Sequence, residues 1–125
     1  MQLTLDPAGH AYTLRSADGR SARVNERWLT GSFVISPDHL VEGWAASDAK
    51  SLQPADLDAL LALEPEVILL GTGERQVFPQ AITVAACLSR GVGLEVMTNA
   101  AAARTFNVLA AEERRVVAGF ILHGE

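Results

Sequence analysis

Cysteine is almost missing from this chain: Cys87 is alone among 125 residues. No disulfide framework can form within it, which points to a reducing compartment, the cytoplasm. Cys87 lies in the apolar run "ITVAACLSR" and reads as a buried, inert thiol, because reactive thiols need electropositive, partly exposed surroundings. A basic excess is missing too. The formal net charge is -5 and the sequence pI is near 5.1, so no basic face is available to neutralise nucleic-acid phosphates or to sit on an anionic membrane. No apolar run approaches the ~18 residues that a helical span requires, so no membrane insertion is expected. The opening "MQLTLDPAGH" has no basic stretch followed by an apolar region, so a secretory signal is not expected.

The usual catalytic constellations are absent as well. His10, His39 and His123 are far apart in sequence, with no metal-ligand spacing and no clustered cysteine or carboxylate beside them, so no metal is expected. Ser36, Ser47 and Ser89 lack a G-x-S-x-G setting. Glu112 and Glu113 are adjacent and point in different directions, and Asp56 with Asp58 reads as a charge cluster at a helix start. The sequence therefore names no catalytic residue and no cofactor.

What is present is a folded domain. Apolar residues make up 49% of the chain and charged residues 20%, the composition of a globular protein, and 125 residues suit a single domain over 1–125. The first third is β-rich. "QLTL" and "AYTL" alternate apolar and polar, separated by the turn Asp6-Pro7-Ala8-Gly9, and Asp18-Gly19 marks another turn. "SARVNERWLTGSFVIS" is a longer β-type region with Asn25-Glu26 as a turn inside it, stopped by Ser36-Pro37-Asp38.

From there helix and strand alternate. Pro54 and Asp56 open a helix with Leu57, Leu60, Leu61 and Leu63 on its apolar side, closed by Pro65. "EVILL" is a short continuous apolar run, as for a strand covered on both faces. "PQAITVAACLSRG" is a helix with Pro79 near its start and Gly91 past its end, and "GLEVM" is a further strand. Thr98 is placed to cap the helix "NAAAARTFNVLAAEE", and "RRVVAGFIL" closes the fold as a strand or a short helix, its β-branched content favouring strand. This order predicts an α/β fold, a sheet layered with helices behind an N-terminal β-rich segment.

If "EVILL" and "GLEVM" are parallel neighbours, the Gly71-Thr72-Gly73 loop and the Met97-Thr98-Asn99 junction share one edge of the sheet, where open α/β sheets bind ligands. Two nucleotide motifs fail there. A Walker-type loop needs a lysine, and the dinucleotide fingerprint needs a third glycine where Gln76 stands. Gly91-Val92-Gly93 follows a helix and precedes a strand, the reverse of a phosphate site. What survives is a glycine turn able to approach an anion through its backbone, with Arg75 for charge and Arg104 convergent if the two loops adjoin. The plainer reading pairs Arg75 with Glu74 or Glu112. Arg104 and Asn107 are three apart, hence neighbours on one helix face. That face is either a binding surface or a network pinning the helix to adjacent loops.

The stretches "SFVISPDHLVEGW", "PEVILLGTGERQVFP" and "GVGLEVMTNAAAARTFNVLAAEERRVVAGFI" together resemble a small family of largely uncharacterised α/β proteins. Its members include the mitochondrial respiratory complex I assembly factor 3 and the adipogenesis-associated domain protein. The resemblance runs from about Gln2 to Ile121 and implies a three-layer fold with a central mixed sheet and helices on both faces. It implies no established catalytic activity and no established cofactor. The family's glycine loop matches Gly71-Thr72-Gly73 followed by Phe78-Pro79. Its helix motif matches Thr98, Ala102, Arg104, Thr105, Asn107 and Leu109, its strand entry Glu112, Arg114 and Val116, and its early tryptophan Trp44. Glu113, set between Glu112 and Arg114, departs from the pattern, and the many alanines dilute the helix motif. The chain also begins almost at its first strand, unlike the mitochondrial member with its targeting segment.

Two functions follow as expectations. One is a non-enzymatic interaction or complex-assembly protein, with a protein partner or a second copy docking on apolar residues around Trp28, Trp44 and Phe78. The other is a small anionic-ligand binder, or an enzyme of unknown reaction, using Gly71, Thr72, Gly73, Arg75, Thr98, Arg104 and Asn107.

Overall fold

A computed structural model describes residues 11–124. The expected first strand "QLTL", the turn after it and His10 lie outside the described residues.

The β-rich start forms a three-stranded antiparallel meander of β1 (Leu14–Ala17), β2 (Ala22–Val24) and β3 (Arg27–Leu29). Asn25 sits at φ 53 in the two-residue turn joining β2 to β3, a left-handed conformation that asparagine tolerates better than most residues. Its side chain accepts from the Thr13 N–H at 2.9 Å and donates to the Ala11 carbonyl at 2.9 Å. "AYTL" therefore enters the ladder only at Leu14: the segment before it pairs with an asparagine side chain.

The second sheet has five strands in the order β5-β4-β8-β6-β7. These are β4 (Phe33–Ile35), β5 (Leu40–Glu42), β6 (Val67–Gly71), β7 (Gly93–Met97) and β8 (Val116–Phe120). β6 pairs in parallel with both β7 and β8, while β4 runs antiparallel to β5 and β8. The sheet is mixed, as the family resemblance implies. β5 was not expected from the sequence. It follows the Ser36–His39 turn, in which the Ser36 hydroxyl accepts from the His39 N–H at 3.0 Å.

Side-chain alternation assigns the two faces. Phe33, Ile35, Leu69, Val116, Ala118 and Phe120 point to one side, toward the meander and α3 (Asn99–Ala111). Phe33 and Phe120 are cross-strand partners with rings stacked 5.0 Å apart. Val34, Ile68, Leu70, Val117 and Ile121 point to the other side. There they meet α1 (Asp58–Leu61), the 3-10 turn Pro54–Leu57 before it, and α2 (Ala81–Leu88). Helices thus cover both faces. Cys87 is fully buried in the second cluster, and burial pushes its thiol pKa up, in keeping with an inert thiol.

Trp44 corrects one expectation. It is buried and not part of an apolar surface. Its indole N–H donates to the Asp56 carbonyl at 2.9 Å, and its ring lies over Gly119, where an added β-carbon would come within 2.8 Å of it. A buried indole needs such an acceptor.

The sheet-edge crevice and its neighbours

The chain leaves β6 for α2 on one face and leaves β7 for α3 on the other, because β8 lies back across β6. Adjacent loops that diverge to opposite faces open a crevice at the carboxyl ends of the strands. The expected adjacency is present. The Thr72 N–H donates to the Met97 carbonyl at 3.0 Å, and the Asn99 N–H donates to the Gly73 carbonyl at 2.9 Å.

Asn99 ties the loops at that edge together from within. It is fully buried. Its Oδ1 accepts from the Gly73 N–H at 3.1 Å, and its Nδ2 donates to the carbonyls of Asp18 and Ile121, each at 2.9 Å. One amide thus ties together the β1–β2 turn, the β6 loop and the end of β8. A β-carbon on Gly71 would collide with Asn99 Oδ1, so Gly71 is glycine to admit this side chain. Gly73 is glycine for another reason: its φ is 107, where a side chain is strained. Thr72 is buried, donates its hydroxyl to the Arg75 carbonyl and accepts the Val77 N–H at 3.0 Å, folding the loop back on itself.

At this loop lies an open hollow of about 410 Å³ lined by Arg20, Gly73, Glu74, Arg75 and His123, among others. Arg75 is exposed and makes no ion pair among the described residues. The expected pairing with Glu74 or Glu112 does not form. Glu74 instead accepts from the Gly19 N–H at 3.1 Å. Asp18 Oδ1 accepts from the N–H groups of Arg20 and Ser21 at 2.8 and 2.9 Å. Those bonds, that from Ser21 first and that from Arg20 next, hold the Asp18 carboxyl below its ordinary pKa. The His123 ring Nε2 lies 2.6 Å from the Ser47 carbonyl, a distance at which the ring nitrogen carries the proton and donates.

The remaining candidates fall elsewhere. Thr98 caps α3, accepting from the Ala101 N–H at 3.2 Å. Arg104 is exposed, so it requires no partner, and it lines a separate hollow of about 240 Å³ beside β1. Arg75 and Arg104 therefore do not converge. Asn107 lines that hollow too, but its amide is spent on one backbone residue: Nδ2 donates to the Leu14 carbonyl at 2.6 Å and Oδ1 accepts from the Leu14 N–H at 3.2 Å. It pins the meander to α3, which is the network reading. Asn99, Arg20 and His123 were not singled out from the sequence. The available signal was an asparagine directly after a helix cap, where a long alanine run begins. Among the described residues no group of three or more His, Cys, Asp or Glu is placed to hold a metal ion, and no helix is long and apolar enough to cross a membrane.

Fold and edge together define a three-layer α/β domain whose switch-point loops are tied together by a buried asparagine. Residues 14–121 match the family described as protein of unknown function (DUF498/DUF598), and the chain belongs to that family. A Xanthomonas campestris protein solved by NMR is 58% identical, aligns over 99% of this chain and 94% of its own, and superposes with a TM-score of 0.85. A Francisella tularensis protein named "13 kDa major membrane protein" is 36% identical over 55% of this chain and 56% of its own length. The human NADH dehydrogenase [ubiquinone] 1 alpha subcomplex assembly factor 3 is 28% identical over 91% of this chain. The chain spans 62% of that protein's length.

Proposed function

We propose that this chain acts by binding another protein, as an interaction or complex-assembly factor, and not by catalysis. The carrying observation is α2 and the segment before it. From Val77 to Ser89 there is no charged side chain, yet Phe78, Ile82 and Leu88 are each more than 60% exposed. Surface helices normally turn a charged or polar face to water, and a helix apolar all round is normally covered. α2 has its inner side on the sheet through Thr83 and Cys87 and leaves an equally apolar outer side for a partner. Trp28, 59% exposed, belongs to the opposite layer. The names of the vertebrate relatives, assembly factors of a respiratory complex, support the same class of activity. The single buried cysteine suits the cytoplasm as its place of action.

Lys50 is the chain's one lysine, and its carbonyl accepts from the Gln80 side chain at the start of α2. An amine-reactive cross-linker therefore reports on this face. Tagged wild type and the variant Ile82→Glu would be purified and cross-linked side by side. A stoichiometric partner linked through Lys50 and lost in the variant supports the reading, and a link between two copies identifies the occupant as a second chain. Abundant folded wild type with no stoichiometric partner overturns it.

A further inference from the structure

The hollow at the loop after β6 has features that the interaction reading leaves unused. Arg15, Arg23, Arg27 and Arg114 form ion pairs, with Glu26, Glu26, Glu42 and Glu66 respectively. The Arg115 Nε donates to the Glu64 carbonyl. Arg20 and Arg75 have no side-chain partner among the described residues, and both line this one cavity. They arrive from different layers, Arg20 on the β1–β2 turn and Arg75 on the loop after β6. The two acids close by form no ion pair with them, although the Arg20 charge acts on Asp18 through space. Asp18 is held by two backbone N–H groups and Glu74 by the Gly19 N–H, so each carboxylate shapes a loop. The N–H groups of Glu74, Arg75 and Gln76 donate to no acceptor among the described residues, whereas those of Gly73 and Val77 on either side are bonded. His123 adds a ring whose Nε2 donates to the Ser47 carbonyl, leaving Nδ1 as an acceptor for a protonated phosphate oxygen.

We propose that this cavity is a phosphate-binding site, in which the guanidinium groups of Arg20 and Arg75 hold a small phosphate-bearing ligand against the 74–76 backbone. Guanidinium forks match phosphate oxygens bidentately, and successive free backbone N–H groups make an anion-binding concavity. The cavity volume suits a ligand no larger than a small metabolite. Arg104, the partner suggested by sequence, has no part in it. The two readings rest on different side chains, the arginines here and Phe78, Ile82 and Leu88 there, so either can fail alone although the loop runs directly into the segment before α2.

The test is a titration of the 125-residue chain with inorganic phosphate, followed by amide NMR shifts, with sodium chloride of matched ionic strength as control. Shifts concentrated at Gly19 to Ser21 and Gly73 to Val77 are expected with phosphate and not with chloride. Arg75→Ala and Arg20→Ala should each weaken binding about ten-fold or more, while Arg104→Ala leaves it unchanged. Both arginines are exposed, so these variants keep the fold, which their unperturbed core amides would confirm. Chloride giving the same shifts, or Arg104→Ala weakening binding as much as Arg75→Ala, would overturn the site. A free acid of similar size, acetate, separates phosphate from general anion binding: equal affinity for acetate also sinks the proposal.

Discussion

Asn99 Oδ1 occupies the space that a β-carbon on Gly71 would need. The glycine at the end of β6 and the asparagine at the start of α3 fit as one device: a side chain at position 71 would collide with the amide and press on Phe120. Removing the amide by Asn99→Ala orphans the Gly73 N–H and the carbonyls of Asp18 and Ile121. Leaving buried groups unpaired costs about 1–3 kcal/mol each, and the polar edge can admit water, so a total loss of about 3 kcal/mol is expected. The urea midpoint should fall with little change in slope. Asn99→Asp is informative beside it. One carboxylate oxygen still accepts from Gly73, but the other faces two carbonyls. Folding then favours the protonated acid, so the penalty relative to wild type is largest at neutral pH and shrinks as the solution is acidified.

Asn107 makes a second such contact, at the boundary between layers. Its amide supplies Leu14 with the partners that a neighbouring strand would give it. Asn107→Ala should cost about 1–2 kcal/mol. The loss should be local: amide exchange in β1, β2 and β3 speeds up well before exchange in β8, because the meander is released while the five-stranded sheet keeps its ladder.

Acid should weaken the fold through exposed carboxylates with engaged oxygens. Glu66 accepts from the Arg115 N–H at 3.0 Å and from Arg114 Nε at 3.1 Å, which together hold its pKa below the ordinary value. The Ser51 N–H and hydroxyl do the same for Asp48, and backbone N–H groups for Asp18. A carboxyl depressed in the folded state stabilises it above the unfolded pKa of about 4. That contribution is lost as pH falls through the lower folded value. Glu66→Gln should therefore differ from wild type at neutral pH and converge on it below about pH 3, as read from urea midpoints at several pH values.

The two tryptophans should separate by fluorescence. Trp44 is 9% exposed and Trp28 59%. Trp28→Phe should leave a blue-shifted emission that iodide barely quenches; Trp44→Phe should leave a red-shifted, readily quenched one. Gly119→Ala would press on Trp44 in the first of these backgrounds and shift its emission, since the added methyl meets the indole at 2.8 Å.

Patterns confined to one element were legible in the sequence. The run from Val67 to Leu70, the glycine after it, and the Thr98 cap with its alanine-rich helix mark β6, its loop and α3 through local preferences alone. β5 was not legible, because Leu40 to Glu42 is a three-residue edge strand with exposed Val41 and Glu42. It carries too little burial to show a period. Trp44 was misplaced because its acceptor, Asp56, and the space left by Gly119 come from distant parts of the chain. The candidate site divides in the same way. Its position at the sheet edge follows from strand order, whereas its composition does not. Arg20 and His123 reach it by folding, Arg104 is carried away by the turn of α3, and Asn99 shows its role only through partners at 18, 73 and 121.

The strand order has a consequence for how the protein comes into being. β8 is the latest of the described elements to be synthesised, and it is the middle strand of its sheet, with β4 on one side and β6 on the other. Until Val116 to Phe120 are available, the two halves of that sheet have no common edge and the apolar faces of β4 and β6 stay open. Assembly thus waits for closure of a loop of some eighty residues between β4 and β8, a slow, late and cooperative step. A nascent chain stalled before β8 leaves one unpaired edge on β4 and another on β6, and such edges are where chains associate.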